Sequence, residues 1–217
     1  PTKEWVPVRP AQHYTMGGIR TKPTGESETL KGLFAAGEAA CWDMHGFNRL
    51  GGNSVAETVV AGMIVGEFIA DFCDQPENGI DIPTSIIYDA LRKQEAELKH
   101  FTTNGGSEDA VKLRTRMQEI MTTKIGIFRR GPDMEEAVKE LEDLYKRSFN
   151  VPVKDIVGPN PELVYAYRTQ KMLRVALTVA CGALNRKESR GAHYREDYSR
   201  RDDVNWLNRT IATWKEG

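Results

Sequence analysis

The chain has 217 residues, 40% hydrophobic and 28% charged, with a formal net charge of −1. That length suits one large domain or two small ones, and the near-zero charge leaves no strong field to draw nucleic acid or an anionic membrane surface. The most apolar stretch, residues 55–72, carries Glu57, Glu67 and Asp71 and is broken by Gly62 and Gly66, which excludes a membrane span.

Residues 1–75 read as α/β. The chain opens at Pro1 with no signal peptide, and residues 4–11 read as an extended segment with no preceding unit, which suggests a piece of a longer protein. Residues 6–8, Val-Pro-Val, are a short strand candidate. His13-Tyr14-Thr15-Met16-Gly17-Gly18 leads into Ile19, Arg20 and Thr21, and residues 22–31, with Pro23 and Gly25, form a turn-rich hairpin tip. Residues 32–36, an apolar run ending in small residues, predict a buried parallel strand. After Gly37-Glu38 comes a polar loop with His45, Asn48 and Arg49. Gly51-Gly52 then open a helix at Asn53-Ser54 that runs to about residue 73. Strand, glycine-rich turn and helix start together shape a backbone to receive a flat or anionic group. The helix start offers free N–H groups and the positive end of a dipole.

Residues 75–83 read as a linker. Beyond it, Thr84 or Ser85 caps a helix to about residue 101, and Ser107 opens another with Val111, Met117, Ile120, Met121, Ile125 and Phe128 on one stripe. Asp133 with Glu136 reads as a capping box for a third, whose buried side is Ala137, Leu141, Leu144 and Tyr145. Asn160-Pro161-Glu162 start the longest helix, reaching Asn185 or beyond. Four amphipathic helices with short loops predict a bundle over residues 84–188. The fold class is thus an α/β segment followed by an α-helical bundle. The tail from residue 189 is too charged for a core. Its Ser189, Arg190, His193, Tyr194, Arg195, Tyr198 and Trp206 suit either a solvated tail or a segment laid across another surface.

Arg49 is the leading chemical candidate, since a guanidinium can grip a carboxylate through two parallel bonds and this one stands just ahead of a helix N-terminus. His13 and His45 could donate to the same anion or handle protons. Each alone is more often surface structure than a ligand; together, in two glycine-rich loops, they point to an anion site. Glu38, at the strand end, could accept from ribose or ribityl hydroxyls, and Gly51 and Gly52 allow close backbone approach. Met63, Met117 and Met121 are assigned to packing. Cys41, Cys73 and Cys181 stand far apart without a CxxC pair, so this chain alone holds no zinc or iron–sulfur cluster, and no metal is expected. The odd count suits a reducing compartment. There is no GxGxxG, GKS/T, HExxH or GxSxG pattern, so the pyrophosphate motif of any bound dinucleotide lies outside this chain.

The motifs His13-Tyr14-Thr15-Met16-Gly17-Gly18, Gly37-Glu38-Ala39-Ala40-Cys41 and His45-Gly46-Phe47-Asn48-Arg49-Leu50-Gly51-Gly52-Asn53-Ser54 resemble the flavoprotein subunits of fumarate reductase and succinate dehydrogenase. Glu188-Ser189-Arg190-Gly191-Ala192-His193, with Arg201-Asp202-Asp203 and Trp206, is similar to the same family. Asp43-Met44-His45-Gly46-Phe47 leans toward the fumarate reductases of anaerobic respiration, although Phe47 stands where small residues are common. The resemblance implies FAD and the interconversion of fumarate and succinate. It implies that His13 binds one substrate carboxylate, that Arg49 clamps the other and that Gly52 gives its N–H to substrate. Glu38 would contact FAD, and Ser54 and Val55 would form the helix start beside the flavin's pyrimidine edge. His45, Asn48, Thr15, Gly17 and Gly18 would stand behind these.

By the same resemblance, residues 1–75 are the end of an FAD-binding domain, residues 76–188 a helical C-terminal domain, and residues 189–217 a tail packing back on the flavoprotein or its partner. An iron–sulfur subunit and a membrane anchor subunit are the implied partners. They would hold the protein on the cytoplasmic side of the inner membrane, without nucleic acid and without direct insertion. The family's glycine-rich FAD motif, its flavin-linking histidine and its capping domain with the proton-delivering arginine are not in these residues, so the piece alone is expected to be inactive. Two other readings stay open. One is an aspartate-oxidase-like flavoenzyme, which shares the HxxxGG and HGxNR patterns; the Leu50-Gly51-Gly52 run argues against it. The other is a non-catalytic helical interaction module, since about half the chain is bundle.

Overall fold

A computed structural model describes residues 2–7, 13–46, 48–79, 82–154 and 156–213. The chain divides into two compact units, Pro1–Ile82 and Pro83–Gly217.

Helix α1, Asn53–Asp74, is the axis of the first unit. Its buried residues are Glu57, Ala61 and Val65, spaced four apart on one face. The hairpin tip lies against this stripe. Gly25 there has φ 81°, and a Cβ on it would stand 2.3 Å from a Val65 methyl, so only glycine fits. Strand β1, Ile19–Arg20, pairs in parallel with β2, Ala40–Cys41, with Ile19 opposite Ala40. The outer side of α1 is apolar and open: Val55, Val59, Val60 and Met63 are all exposed. Met63 is therefore not a packing residue.

The parallel strand expected over residues 32–36 does not form. Phe34 makes a single bridge to Glu26, Ser27 N–H donates to Leu33 O at 2.7 Å, and Ala35 N–H donates to Gly25 O at 2.9 Å. Leu33 is exposed. A buried parallel strand needs strand neighbours on its edges to take its backbone groups. Here those groups turn back to the hairpin tip. The strand expected at residues 6–8 reaches positions outside the described residues, as does Phe47.

In the second unit, helices α2 (Thr84–Thr103), α3 (Ala110–Lys124), α4 (Gly131–Arg147) and α5 (Pro161–Asn185) form the bundle. Helices α3, α4 and α5 pack on one another and α2 packs on α5. Leu113, Ile120, Met134, Leu141 and Leu173 lie at its centre. Pro161 at the first turn and the Asn160 side chain, which accepts from Leu163 N–H, fix the start of α5. Other starts differ from the sequence reading. Thr84 is already helical, and no side chain caps α2. Asp109, not Ser107, caps α3, accepting from Val111 and Lys112 N–H at 2.8 and 3.2 Å. Helix α3 stops at Lys124, and Phe128 lies exposed in β3, Phe128–Arg129. Helix α4 begins at Gly131, so Asp133 is a first-turn acid facing the positive end of the dipole rather than a cap. The Gly131 N–H is taken by Asp197 Oδ2 at 3.0 Å.

Asp197 belongs to a segment folded against the bundle. Strand β4, Tyr194–Arg195, pairs in parallel with β3. Arg195 is 2% exposed. Its Nη1 donates to the carbonyls of Ala183, Leu184 and Arg186 at 3.2, 3.0 and 3.0 Å, and its Nε and Nη2 donate to Asp197 at 2.8 and 2.7 Å. Helix α5 ends without a glycine after it, so the guanidinium takes carbonyls that a left-handed cap would otherwise satisfy. Glu188, fully buried, accepts from Arg190 at 2.7 and 2.9 Å and from Asp202 N–H at 2.9 Å. Asp202 then caps α6, Asp203–Trp206.

His193 lies inside this arrangement. Arg129 Nη1 stands 2.7 Å from its Nδ1, and its Nε2 is 3.2 Å from Arg186 O. Arginine can only donate, so Nδ1 accepts and the proton is on Nε2. Burial, and then the charges of Arg129, Arg195 and Arg186, push the imidazole below its ordinary value, against the opposing pull of the Arg186 carbonyl. The unfolded chain therefore takes up this proton first as pH falls. The stabilisation is complete above about pH 6.5 and is lost below it. Urea unfolding should show a midpoint that drops between about pH 7 and 5.5, and His193→Gln should flatten that slope; an unchanged slope would remove His193 from the account.

Candidate active site

Two loops meet near the mouth of α1. From the first, His13 Nε2 stands 2.5 Å from Arg49 Nη2 of the second. The guanidinium rests over the Tyr14 ring, 5.1 Å from its centroid, and Arg49 Nη1 donates to Leu50 O at 2.9 Å. Arg49 Nε is buried with no hydrogen-bond partner among the described residues. Since the arginine donates, His13 Nε2 accepts and the ring proton is on Nδ1. The result is a half-buried cation beside an exposed imidazole, with a donor still to be satisfied.

The helix mouth is open. Gly52 precedes α1 in the left-handed region, φ 83°, and no side chain caps the helix. A Cβ at Gly51 or Gly52 would meet nothing within 4 Å. Val55 is exposed and Ser54 half-buried. Glu38 lies in a short 3₁₀ turn, Gly37–Ala39, exposed, and its Oε1 accepts from Thr15 N–H at 2.8 Å. Direct bonds thus make two pairs, Arg49 with His13 and Glu38 with Thr15, whose members on the first loop are two residues apart.

His45 is not part of the open cluster. Its ring is buried, with Nε2 2.6 Å from Glu57 Oε2, and lies perpendicular to the Tyr14 ring. Asn48, Gly17 and Gly18 are exposed. Gly17 helps line a small cavity with Met16, Cys41, Trp42 and Glu57.

Sequence reasoning passed over Glu57, Tyr14 and Trp42. Glu57 is 2% exposed and accepts from Trp42 Nε1 at 2.8 Å, from His45 at 2.6 Å and from Tyr14 OH at 3.1 Å. Burial works against its charge, but the three donors outweigh it and hold the carboxyl below the usual carboxylate range. Burial, with the Glu57 carboxylate beside it, pushes the Tyr14 phenol up, so it remains a donor. The signal was present in the sequence: Glu57 sits on the stripe of Ala61 and Val65, where a charge is out of place unless partnered.

Residues 114–217 match the family model for the C-terminal part of the fumarate reductase flavoprotein, and residues 1–55 match a model for an FAD binding domain. The chain is 56% identical over 214 residues to the fumarate reductase flavoprotein subunit of Helicobacter pylori. It is 40% identical over 215 residues to that of Escherichia coli K12. The chain belongs to the fumarate reductase flavoprotein family. These alignments cover 98% of the chain but only 29% and 35% of the two relatives, so it spans about a third of their length. Among solved structures, a quinol-fumarate reductase with menaquinol molecules superposes with a TM-score of 0.86 at 40% identity, covering 95% of this chain and 36% of that one. An E. coli quinol fumarate reductase variant gives 0.82 at 38% identity, over 94% and 35%. The family's fold accounts for both units: a segment of the FAD-binding domain followed by the helical C-terminal domain.

Proposed function

We propose that the chain is the C-terminal part of a fumarate reductase flavoprotein subunit that holds fumarate or succinate against an FAD. The observation that carries this reading is the Arg49–His13 pair, 2.5 Å apart, just ahead of the uncapped start of α1. Each Nη of that guanidinium makes a single bond and keeps an N–H to offer a carboxylate. Arg49 grips one end of the dicarboxylate, while His13 and the Gly52 N–H hold the other. Two anchored ends fix the central carbons in one place, and fixed geometry beside compensating charge is this chain's share of the rate.

The residues fit FAD. The uncapped mouth of α1, with open space before Gly51 and Gly52, leaves room for a flat ring system against Ser54 and Val55. The exposed Glu38 carboxylate suits a hydroxyl. When bound, the flavin supplies the two-electron chemistry. Thr15, Gly17, Gly18, His45 and Asn48 shape the loops behind these groups. Residues 1–75 are the end of the FAD-binding domain, 76–188 the helical domain, and 189–217 a tail that packs back.

In the same reading an iron–sulfur subunit and a membrane anchor subunit complete the complex and keep this one at the cytoplasmic face of the inner membrane. Among the described residues no helix is long and apolar enough to cross a membrane. The test is the full-length flavoprotein carrying these residues. It should show a flavin spectrum and oxidise reduced viologen only when fumarate is added. A protein without flavin, or one that leaves the viologen reduced, refutes the reading.

A further inference from the structure

We propose that Glu57 is the positioning residue of the Arg49–His13 clamp, acting through Tyr14, Trp42 and His45; this rests on the dicarboxylate reading above. A buried carboxylate is expensive unless it is partnered, and a leucine here would continue the stripe of Ala61 and Val65 at less cost. What the carboxylate gains is a connection between the two loops. Tyr14 OH reaches it from the first loop at 3.1 Å, and Trp42 Nε1 and His45 Nε2 reach it from the second at 2.8 and 2.6 Å. Tyr14 directly follows His13 and carries the Arg49 guanidinium on its ring. His45 packs perpendicular to the same ring, centroids 5.6 Å apart. The carboxylate, one helical turn inside α1, therefore sets where the ring lies, and the ring sets where the cation lies relative to the helix mouth.

The acceptor count explains why a carboxylate is used. Oε1 serves Trp42, and Oε2 serves both His45 and Tyr14. An ionised carboxylate can accept on both sides, whereas an amide presents N–H₂ to one of them. Glutamine keeps the volume of Glu57 but removes the charge and puts N–H₂ where one oxygen stood, so either Trp42 faces a donor or His45 and Tyr14 must turn from donors into acceptors and the three-donor arrangement is lost. A space-filling role survives that change and a positioning role does not.

The experiment uses the full-length, FAD-loaded flavoprotein. Arg49 is labelled with phenylglyoxal and its rate of modification read by peptide mass spectrometry, without substrate. Succinate affinity is then read from the flavin difference spectrum. Glu57→Gln should raise the labelling rate several-fold and weaken succinate on the order of ten-fold, with FAD content unchanged. Glu57→Asp, which keeps both acceptor oxygens, should recover part of the loss. If Glu57→Gln fails to hold FAD, Tyr14→Phe, which removes one link alone, decides by the same two readings. Unchanged Arg49 labelling in the informative variant overturns the proposal, as does identical behaviour of Glu57→Gln and Glu57→Asp. Should wild-type protein ignore succinate while Glu57→Gln still frees Arg49, the dicarboxylate reading falls and the positioning role stands.

Discussion

Arg49→Ala in the full-length flavoprotein should lower kcat/KM for fumarate on the order of 10³-fold while FAD remains bound. Three observations set this size. The guanidinium is half-buried, so its charge is not fully screened. Its Nη1 and Nη2 each make one bond, to Leu50 O and His13 Nε2, so each keeps an N–H to give to an anion. It is seated on Tyr14 and beside His13, so it needs little ordering when an anion arrives. Arg49→Lys should recover little, because an ammonium lacks the planar fork and the broad face that rests on the ring. Steady-state kinetics with reduced viologen, beside the flavin absorbance, separates a loss of clamp from a loss of cofactor. Turnover within a few-fold of wild type would remove Arg49 from the site.

Arg195→Ala should destabilise the second unit by about 3–5 kcal/mol, the range for removing one partner of a buried ion pair. The guanidinium is 2% exposed and makes five hydrogen bonds, three to backbone carbonyls at the end of α5 and two to Asp197. Its bonds to Asp197 hold that carboxyl down at about 2, and Asp197 in turn receives the Gly131 N–H at the start of α4. Alanine would leave three carbonyls at the end of α5 without their donor and Asp197 without its cation. Urea unfolding followed by far-UV circular dichroism measures the change, and a shift below about 1 kcal/mol would show the network to be dispensable.

The two arginines mark where sequence reasoning succeeds and where it stops. Arg49 was legible because glycines and a helix start surround it, and those are local features. Helices α1 and α5 were legible for the same reason: Gly-Gly-Asn-Ser and Asn-Pro-Glu state their own beginnings. Ser107 and Asp133 were misread because several polar residues could serve as caps, and the choice between Ser107 and Asp109 depends on where the chain arrives from. The strand over residues 32–36 failed for lack of strand neighbours, which an apolar run cannot report. Glu57 and Arg195 were hidden because charge usually signals solvent. Their burial depends on donors and carbonyls 12 to 43 residues away for Glu57 and 9 to 12 for the α5 carbonyls of Arg195.

The outer side of α1 decides how the first unit behaves as a solute. Val55, Val59, Val60 and Met63 stand in water along one helix, with Phe68 and Ile69 beyond them. Rows of this kind are where molecules stick to one another. Residues 1–82 carry 11 acidic against 6 basic side chains, a net charge of −5 that repels like copies. Colloidal stability at this end of the chain thus sets a greasy helix face against like-charge repulsion, and falls as salt screens that repulsion.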